Sequence, residues 1–340
     1  MKREGYLLDQ ISEYGNLAKA FHKAAQGKRQ QSAVMRFEAK LSANLSGLGT
    51  SLRDGRVSVG RFHQFTVRDP KVRVIHAASF PERVLHHAIM NVAGAFFERG
   101  ADDHSYACRE GKGNGGALKY ALRATTGRRY FLQMDVRKYF DSVDQSVLKR
   151  LFRRSFKEEA FLHLLDRIVD SYATAPGRGL PIGSLTSQYF ANFYLDGLDR
   201  FVRETLRGRR YVRFMDDLVL WDDDPRFLST CQGEIEEWLR RERGLLLKES
   251  TRLAASTQGV DFLGYRLKPG RVLLSRRSRQ RFRRRLRDLE ADYEDERIGE
   301  EELQRRSSAL VAFTERADCR RWRARVVRRS SLSLSEGRIT

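Results

Sequence analysis

The sequence predicts an α+β fold in which a small antiparallel sheet carries a group of carboxylates and helices surround it. Three observations predict this. The segment Tyr211 to Trp221, YVRFMDDLVLW, sets the adjacent acids Asp216 and Asp217 between two apolar runs of strand-like composition, which reads as a hairpin with carboxylates at its tip. Eighty-one residues upstream of Asp216, FLQMDVRKYF places Asp135 directly after the apolar segment Tyr130 to Met134, where a strand ends and a turn begins. Much of the remainder is helical by spacing, beginning with Leu7, Leu8, Ile11, Tyr14, Leu17, Ala18 and Phe21. Strands hold side chains rigidly, so three acids at strand ends suit the divalent cations of phosphoryl transfer. An Asp-Asp pair is also common in solvated turns, so FMDD alone does not decide between the two readings.

The elements follow in order. Residues 1–60 read as a helical extension, with a basic loop GKRQQ at 27–31 that is either a solvated turn or an RNA contact. Residues 61–80 alternate through RFHQFTV and KVRVIHA and read as short strands, followed by a helix from about Glu82 to Phe97. His86 and His87 lie within that helix without a second metal motif, so packing is assigned to them rather than chemistry. HSYACREGKGNGGALKYALRA joins Arg109 and Lys112 to a Gly-rich loop and a helix, a pattern that suits a triphosphate or simply leads into the helix. In MDVRKYFDSVD, Asp141 and Asp144 read as caps of a helix beginning near Gln145. GLPIGSLTSQYFAN sets Gly179 and Gly183 around Pro181, then a small polar cluster and an apolar helix from Tyr189 to Phe201. Lys248 ends a leucine run, and GVDFLGYRL at 259–267 reads as another hairpin. RRSRQRFRRRLR at 276–287 holds eight arginines and no acid, and reads as a helix contacting phosphates. The acidic stretch DLEADYEDERIGEEEL then faces away on its own helix or turn, and Trp322 and Phe313 hold the core of the last helices.

Lys and Arg number 65 against 44 Asp and Glu, a formal charge of +21 that points to a polyanionic partner such as nucleic acid. Cysteines 108, 231 and 319 are far apart, with no pairing pattern for zinc, which fits a reducing cytosol. No apolar run approaches the roughly twenty residues a membrane span needs, and MKREGYLLDQISEYG lacks a signal-peptide core. A soluble, cytoplasmic protein without membrane partners is expected.

Taken in order, SYACREGKG, MDVRKYFDSVD, GLPIGSLTSQYFAN, FMDD, LLLKES and GVDFLGY resemble the motif series of the reverse transcriptases. KVRVIHAASFPERVLHHAI, SYACREGKG and IGSLTSQ narrow the likeness to the reverse transcriptases of diversity-generating retroelements, within the lineage of the group II intron enzymes. The resemblance covers roughly residues 15–327. It implies a right-hand polymerase architecture: an N-terminal extension at 1–60, fingers at 61–130 with part of 145–178, a palm at 131–268, a helical thumb at 269–330 and a flexible tail at 331–340. It implies two Mg²⁺ ions, replaceable by Mn²⁺, held by Asp135, Asp216, Asp217 and the carbonyl of Val136, with Asp217 the least direct. Nucleotide contacts are implied for Arg109, Lys112, Phe140 as steric gate, Ile182, Gly183, Gln188 and Lys248. Gly264 and Tyr265 are implied to grip the primer, and Arg276, Arg277, Arg281, Arg284 and Arg285 to contact nucleic acid.

Where most of these enzymes have a glutamine, Ile182 is apolar and makes no hydrogen bond to the nucleotide, which relaxes base discrimination. The resemblance adds that errors concentrate at template adenines and that the cDNA is used for mutagenic retrohoming into a variable gene. It also implies dNTP substrates, a structured template RNA, a cDNA/RNA duplex and a small, basic, oligomeric accessory protein. No room is expected for an RNase H or endonuclease domain. Asn114 and Gly115 replace the usual Thr-His pair after Lys112-Gly113, a departure that limits the comparison there to Arg109 and Lys112. The alternatives are a reverse transcriptase of a phage-defence, retron or intron system, and an inactive palm serving as an RNA-binding protein.

Overall fold

Four short helices open the computed structural model, whose described residues are 6–68 and 72–328. They are α1 (Leu7–Ser12), α2 (Tyr14–Ala25), α3 (Ser32–Glu38) and α4 (Leu41–Arg53), and their apolar stripes bury Leu7, Ile11, Leu17, Phe21, Val34, Leu45 and Leu52. Strands β1 (Phe62–Arg68) and β2 (Val72–Ala78) then pair antiparallel, Phe62 opposite Ala78 and Arg68 opposite Val72. Helix α5 (Phe80–Gly100) begins two residues earlier than the spacing predicts, with Pro81 in its first turn, where a missing N–H costs nothing. Phe80, Phe21 and Phe37 form a mutual ring cluster with centroids 5.3 to 6.0 Å apart, which fixes α5 to the helical layer.

The next elements are α6 (Gly113–Gly127), β3 (Tyr130–Asp135), the single turn α7 (Tyr139–Ser142), α8 (Gln145–Ser155), α9 (Glu159–Asp170), α10 (Leu185–Tyr194) and α11 (Asp196–Arg200). After them come β4 (Tyr211–Phe214), β5 (Asp217–Asp222), α12 (Pro225–Trp238) and β6 (Arg252–Ala255). The four strands form one sheet in the order β4-β5-β3-β6, each pair antiparallel. Alternation along β3 and β5 divides the core. Leu132, Met134, Leu218 and Leu220 face the large helical cluster, while Phe131, Val219 and Trp221 face α6 and a second sheet. Both faces are buried, which is why these strands read as continuous apolar runs.

That second sheet is β7 (Val260–Phe262), β8 (Tyr265–Lys268) and β9 (Arg271–Leu274), joined in order. Three helices close the described chain: α13 (Arg276–Glu294), α14 (Glu300–Glu315) and α15 (Arg320–Arg328). The expected tail at 331–340 lies outside the described residues.

Four local expectations are corrected. The helix expected over Tyr189 to Phe201 is two helices, α10 and α11, followed by a π turn at Phe201–Thr205. Asp144 caps α8, its carboxylate accepting from the Val147 N–H at 3.1 Å, but Asp141 caps nothing and lies inside α7. The first part of the acidic stretch continues α13, because Leu286 and Leu289 prolong the buried stripe begun by Ser278 and Phe282. Phe313 remains 37% exposed, so the core here is Phe282, Leu286 and Leu289, with Trp322 against Phe282 at 5.5 Å.

Candidate active site

The β4–β5 hairpin turns through Met215 and Asp216, and Phe214 pairs with Asp217 across it. Met215 takes φ +59°, the left-handed region that favours glycine. Asp135 stands opposite Asp217 in the β3–β5 register, and the Val136 N–H donates to the Asp216 carbonyl at 3.2 Å. The three acids foreseen from sequence therefore meet at one end of the sheet. Lys248 joins them from the loop before β6: its N–H donates to the Asp135 carbonyl at 2.8 Å and its Nζ lies 2.5 Å from Asp135 Oδ1. Gln133 Nε2 donates to Asp217 Oδ1 at 3.2 Å and to the Asp261 carbonyl at 2.7 Å, tying the site to the second sheet.

The electrostatics are those of crowded acids. Burial, then the charge of Asp135, pushes the Asp216 carboxyl up to about 6. Burial pushes Asp217 up to about 8, against the Gln133 hydrogen bond and with Asp135 and Asp216 adding to it. Among the described residues no three His, Cys, Asp or Glu side chains form a ready-made metal cage. The donor set nevertheless fits a hard divalent cation: it is all oxygen, and added positive charge would let the raised carboxyls ionise together.

Beneath the hairpin lies a residue the sequence reading passed over. Arg213 is fully buried, with Nε and Nη2 on the two oxygens of Asp199 at 2.7 and 2.5 Å and Nη1 on Asn192 Oδ1 at 2.7 Å. Tyr211 also donates to Asp199, at 2.7 Å. A signal was present: an arginine at an inward position of an apolar strand needs a buried acid, and LDGLDR supplies Asp196 and Asp199. Burial, opposed by Arg213, pushes the Asp196 carboxyl from 3.8 up to about 8. The raised carboxyl stabilises the fold in its protonated form, so this contribution is full below the unfolded value and is lost as pH rises to about 8. Wild type is expected to lose melting temperature more steeply than Asp196→Asn as pH rises from about 4 to about 8. Parallel slopes in thermal melts would contradict this.

The remaining predicted residues fall into three groups. Phe140, Ile182 and Gly183 are joined through the 180–183 turn: the Leu180 N–H donates to the Phe140 carbonyl at 2.8 Å, and the His76 N–H to the Ile182 carbonyl at 2.8 Å. Gly183 has φ +112°, and a Cβ there would lie 2.6 Å from Ile75 Cγ2, so β2 packs directly on this turn. Behind the turn, Ser184 Oγ lies 3.3 Å from His86 Nδ1. His86 is pushed down to about 3 by burial, in keeping with its packing role. Gln188 is exposed and accepts from Cys108 Sγ at 3.5 Å.

The second group is turned toward protein. Arg109 Nη1 binds the carbonyls of Asp102 and, at 3.0 Å, Ser105, while Lys112 Nζ binds the Asp103 carbonyl at 2.6 Å. Both hold the 102–106 loop. Tyr265 is buried, donating its hydroxyl to the Phe313 carbonyl at 2.7 Å, and the Gly264 carbonyl accepts from Ser278 Oγ at 2.6 Å. These two residues dock β8 on α13 and α14. The third group is the arginine run, where Arg276, Arg277, Arg284 and Arg285 are exposed and Arg281 is half-buried. The run is split between faces, since Arg279 and Arg283 stack on Trp322.

A four-stranded antiparallel sheet with acids from β3 and from the β4–β5 turn, backed by helices and followed by a helical C-terminal region, defines a right-hand polymerase. The chain belongs to the reverse transcriptase family: residues 68–267 match the family described as reverse transcriptase (RNA-dependent DNA polymerase). It is 26% identical over 161 residues to the group II intron-encoded protein LtrA of Lactococcus lactis subsp. cremoris, covering 45% of this chain and 27% of that protein. It is 22% identical over 248 residues to protein YkfC of Escherichia coli K12, covering 58% and 63%. This chain thus spans about a quarter of the length of the Lactococcus protein it matches. Among solved structures it is similar to apo telomerase from Candida tropicalis, at 12% identity and TM-score 0.49, covering 86% of this chain and 64% of that one. Among the described residues no helix is long and apolar enough to cross a membrane.

Proposed function

We propose that this chain is an RNA-directed DNA polymerase that makes error-prone cDNA from a retroelement template RNA. The observation that carries this is the register of Asp135 against Asp217 beside Asp216, with Lys248 on Asp135. Asp135, Asp216, Asp217 and the Val136 carbonyl are the groups that would hold Mg²⁺, which when bound neutralises the triphosphate and acidifies the primer 3′-hydroxyl. Lys248 offers a proton at Nζ to the departing pyrophosphate, and Gln133 keeps Asp217 oriented. Phe140 closes the site against a ribose 2′-hydroxyl. The 61–130 segment, with β1 and β2, serves as fingers, 131–268 as palm and 269–330 as thumb. A structured template RNA and a small basic accessory protein are the partners in this reading.

Ile182 is the basis for low fidelity. Its carbonyl is taken by His76 and its side chain has no polar group to offer a base pair, so a mispair forfeits no hydrogen bond there. Ile182→Gln is expected to lower misincorporation opposite template adenine by about threefold to tenfold, read by sequencing cDNA. An unchanged error spectrum, or a wild type already faithful, would favour the intron-type reading to which the LtrA relationship lends weight.

A further inference from the structure

We propose that Arg213 is a positioning residue of the active site, holding the strained turn that presents Asp216 and Asp217; the proposal rests on the polymerase reading above. The loop between β4 and β5 has two residues, and the first, Met215, is in the left-handed region with φ +59°. A side chain other than glycine is strained there, and such strain persists only where the surroundings over-determine the conformation. Two bonds do so. The Val136 N–H donates to the Asp216 carbonyl at 3.2 Å from one side, and Arg213 Nη1 donates to the Met215 carbonyl at 3.2 Å from the other.

The arginine can act as a clamp because it is itself immobile. Its Nε and Nη2 form a fork on Asp199 at 2.7 and 2.5 Å, its Nη1 is also on Asn192 Oδ1, and its side chain is 0% exposed. Its backbone is fixed as well: the Arg213 N–H donates to the His104 carbonyl at 2.9 Å, and its carbonyl accepts from the Tyr106 N–H at 3.0 Å. Asn192 returns to the same loop, donating from Nδ2 to the Ala107 carbonyl at 3.1 Å. The carboxylates are thus referenced through one arginine, by its guanidinium to α10 and α11 and by its backbone to the 104–107 loop. That loop is the one Arg109 braces, which gives Arg109 a place in the same support. Lysine cannot reproduce this, since a single ammonium lacks the planar fork that reaches Asp199 and Met215 together.

The alternative is that Arg213 serves only as half of a core ion pair. The two roles separate in a double-mutant cycle with Met215→Gly, because glycine accepts the left-handed turn without strain. The full chain would be assayed on a primed RNA template with Mg²⁺ and dNTPs, beside thermal melts of each variant. Arg213→Lys is expected to lower kcat by about tenfold to a hundredfold with a smaller change in the dNTP KM. In the Met215→Gly background the same substitution should cost only a few-fold, about threefold. Asn192→Ala, which spares the Asp199 fork while loosening Nη1, supplies the same cycle if Arg213→Lys does not fold. Losses that are independent of residue 215, or kcat that merely follows the melting temperature, overturn the clamp while leaving the polymerase reading standing. A folded wild-type chain without cDNA synthesis overturns both.

Discussion

Asp216→Asn is expected to reduce cDNA synthesis by at least about a hundredfold to a thousandfold, the scale on which loss of charge stabilisation acts at a reacting centre. The folded chain should melt at the same temperature as wild type or slightly above it. The two halves of this expectation have one cause. Asp216 lies at the hairpin tip, where burial and the neighbouring Asp135 make its ionised form costly to the fold and push its carboxyl up to about 6. Asparagine keeps the shape, removes that repulsion and forfeits the charge that a divalent cation needs. Primer extension and a thermal melt on the same preparation check both halves. A variant that polymerises normally, or one that loses activity only because it unfolds, contradicts the assignment.

Asp199→Ala should be the most destabilising single change in the support of the site, by about 3–5 kcal/mol in denaturant unfolding. Arg213 and Asp199 are both fully buried, so the attraction between them offsets a large desolvation cost. Removing the acid leaves the guanidinium without its fork, and Asp196, at 3.4 Å from Nη2 and held toward its neutral form, is a poor replacement. The Tyr211 hydroxyl also loses its acceptor. Replacing the pair together, Asp199→Leu with Arg213→Met, should recover much of the stability while leaving the Met215 carbonyl without its donor. A loss below about 1 kcal/mol for Asp199→Ala would show that the pair is not the anchor described.

The three acids were legible in the sequence because their signal is local: apolar strand, acid, turn. Register then completed what the sequence implied, setting Asp135 opposite Asp217. The helical layer was legible for the same reason, through the spacing of Leu7, Ile11, Leu17 and Phe21. Arg213 was not read, because its meaning depends on α10 and α11 coming to lie beneath β4, a non-local fact. Arg109 and Lys112 look like phosphate ligands in a glycine-rich segment, and only the folded loop shows their charges turned onto the carbonyls of residues 102–105. Tyr265 and Phe313 are set by their mutual packing, which neither segment shows by itself. The tyrosine of the hairpin is buried and the phenylalanine of the last helices is 37% exposed, its ring lying over Gly264 and against the Tyr265 ring at 4.9 Å while its carbonyl accepts from the tyrosine hydroxyl. The break after Tyr194 was read through because Asp196 and Gly197, which follow Leu195, lie within a spacing that otherwise continues as helix.

Asp135, Asp216 and Asp217 are the residues proposed to copy RNA into DNA. The most direct test is extension of a labelled DNA primer on an RNA template by the purified wild-type chain, with four dNTPs and Mg²⁺ and then Mn²⁺. Products are expected to grow to the template end, to depend on the template sequence and to require the divalent ion. A chain that is folded and binds the primed RNA but adds no nucleotide with either ion would contradict this assignment.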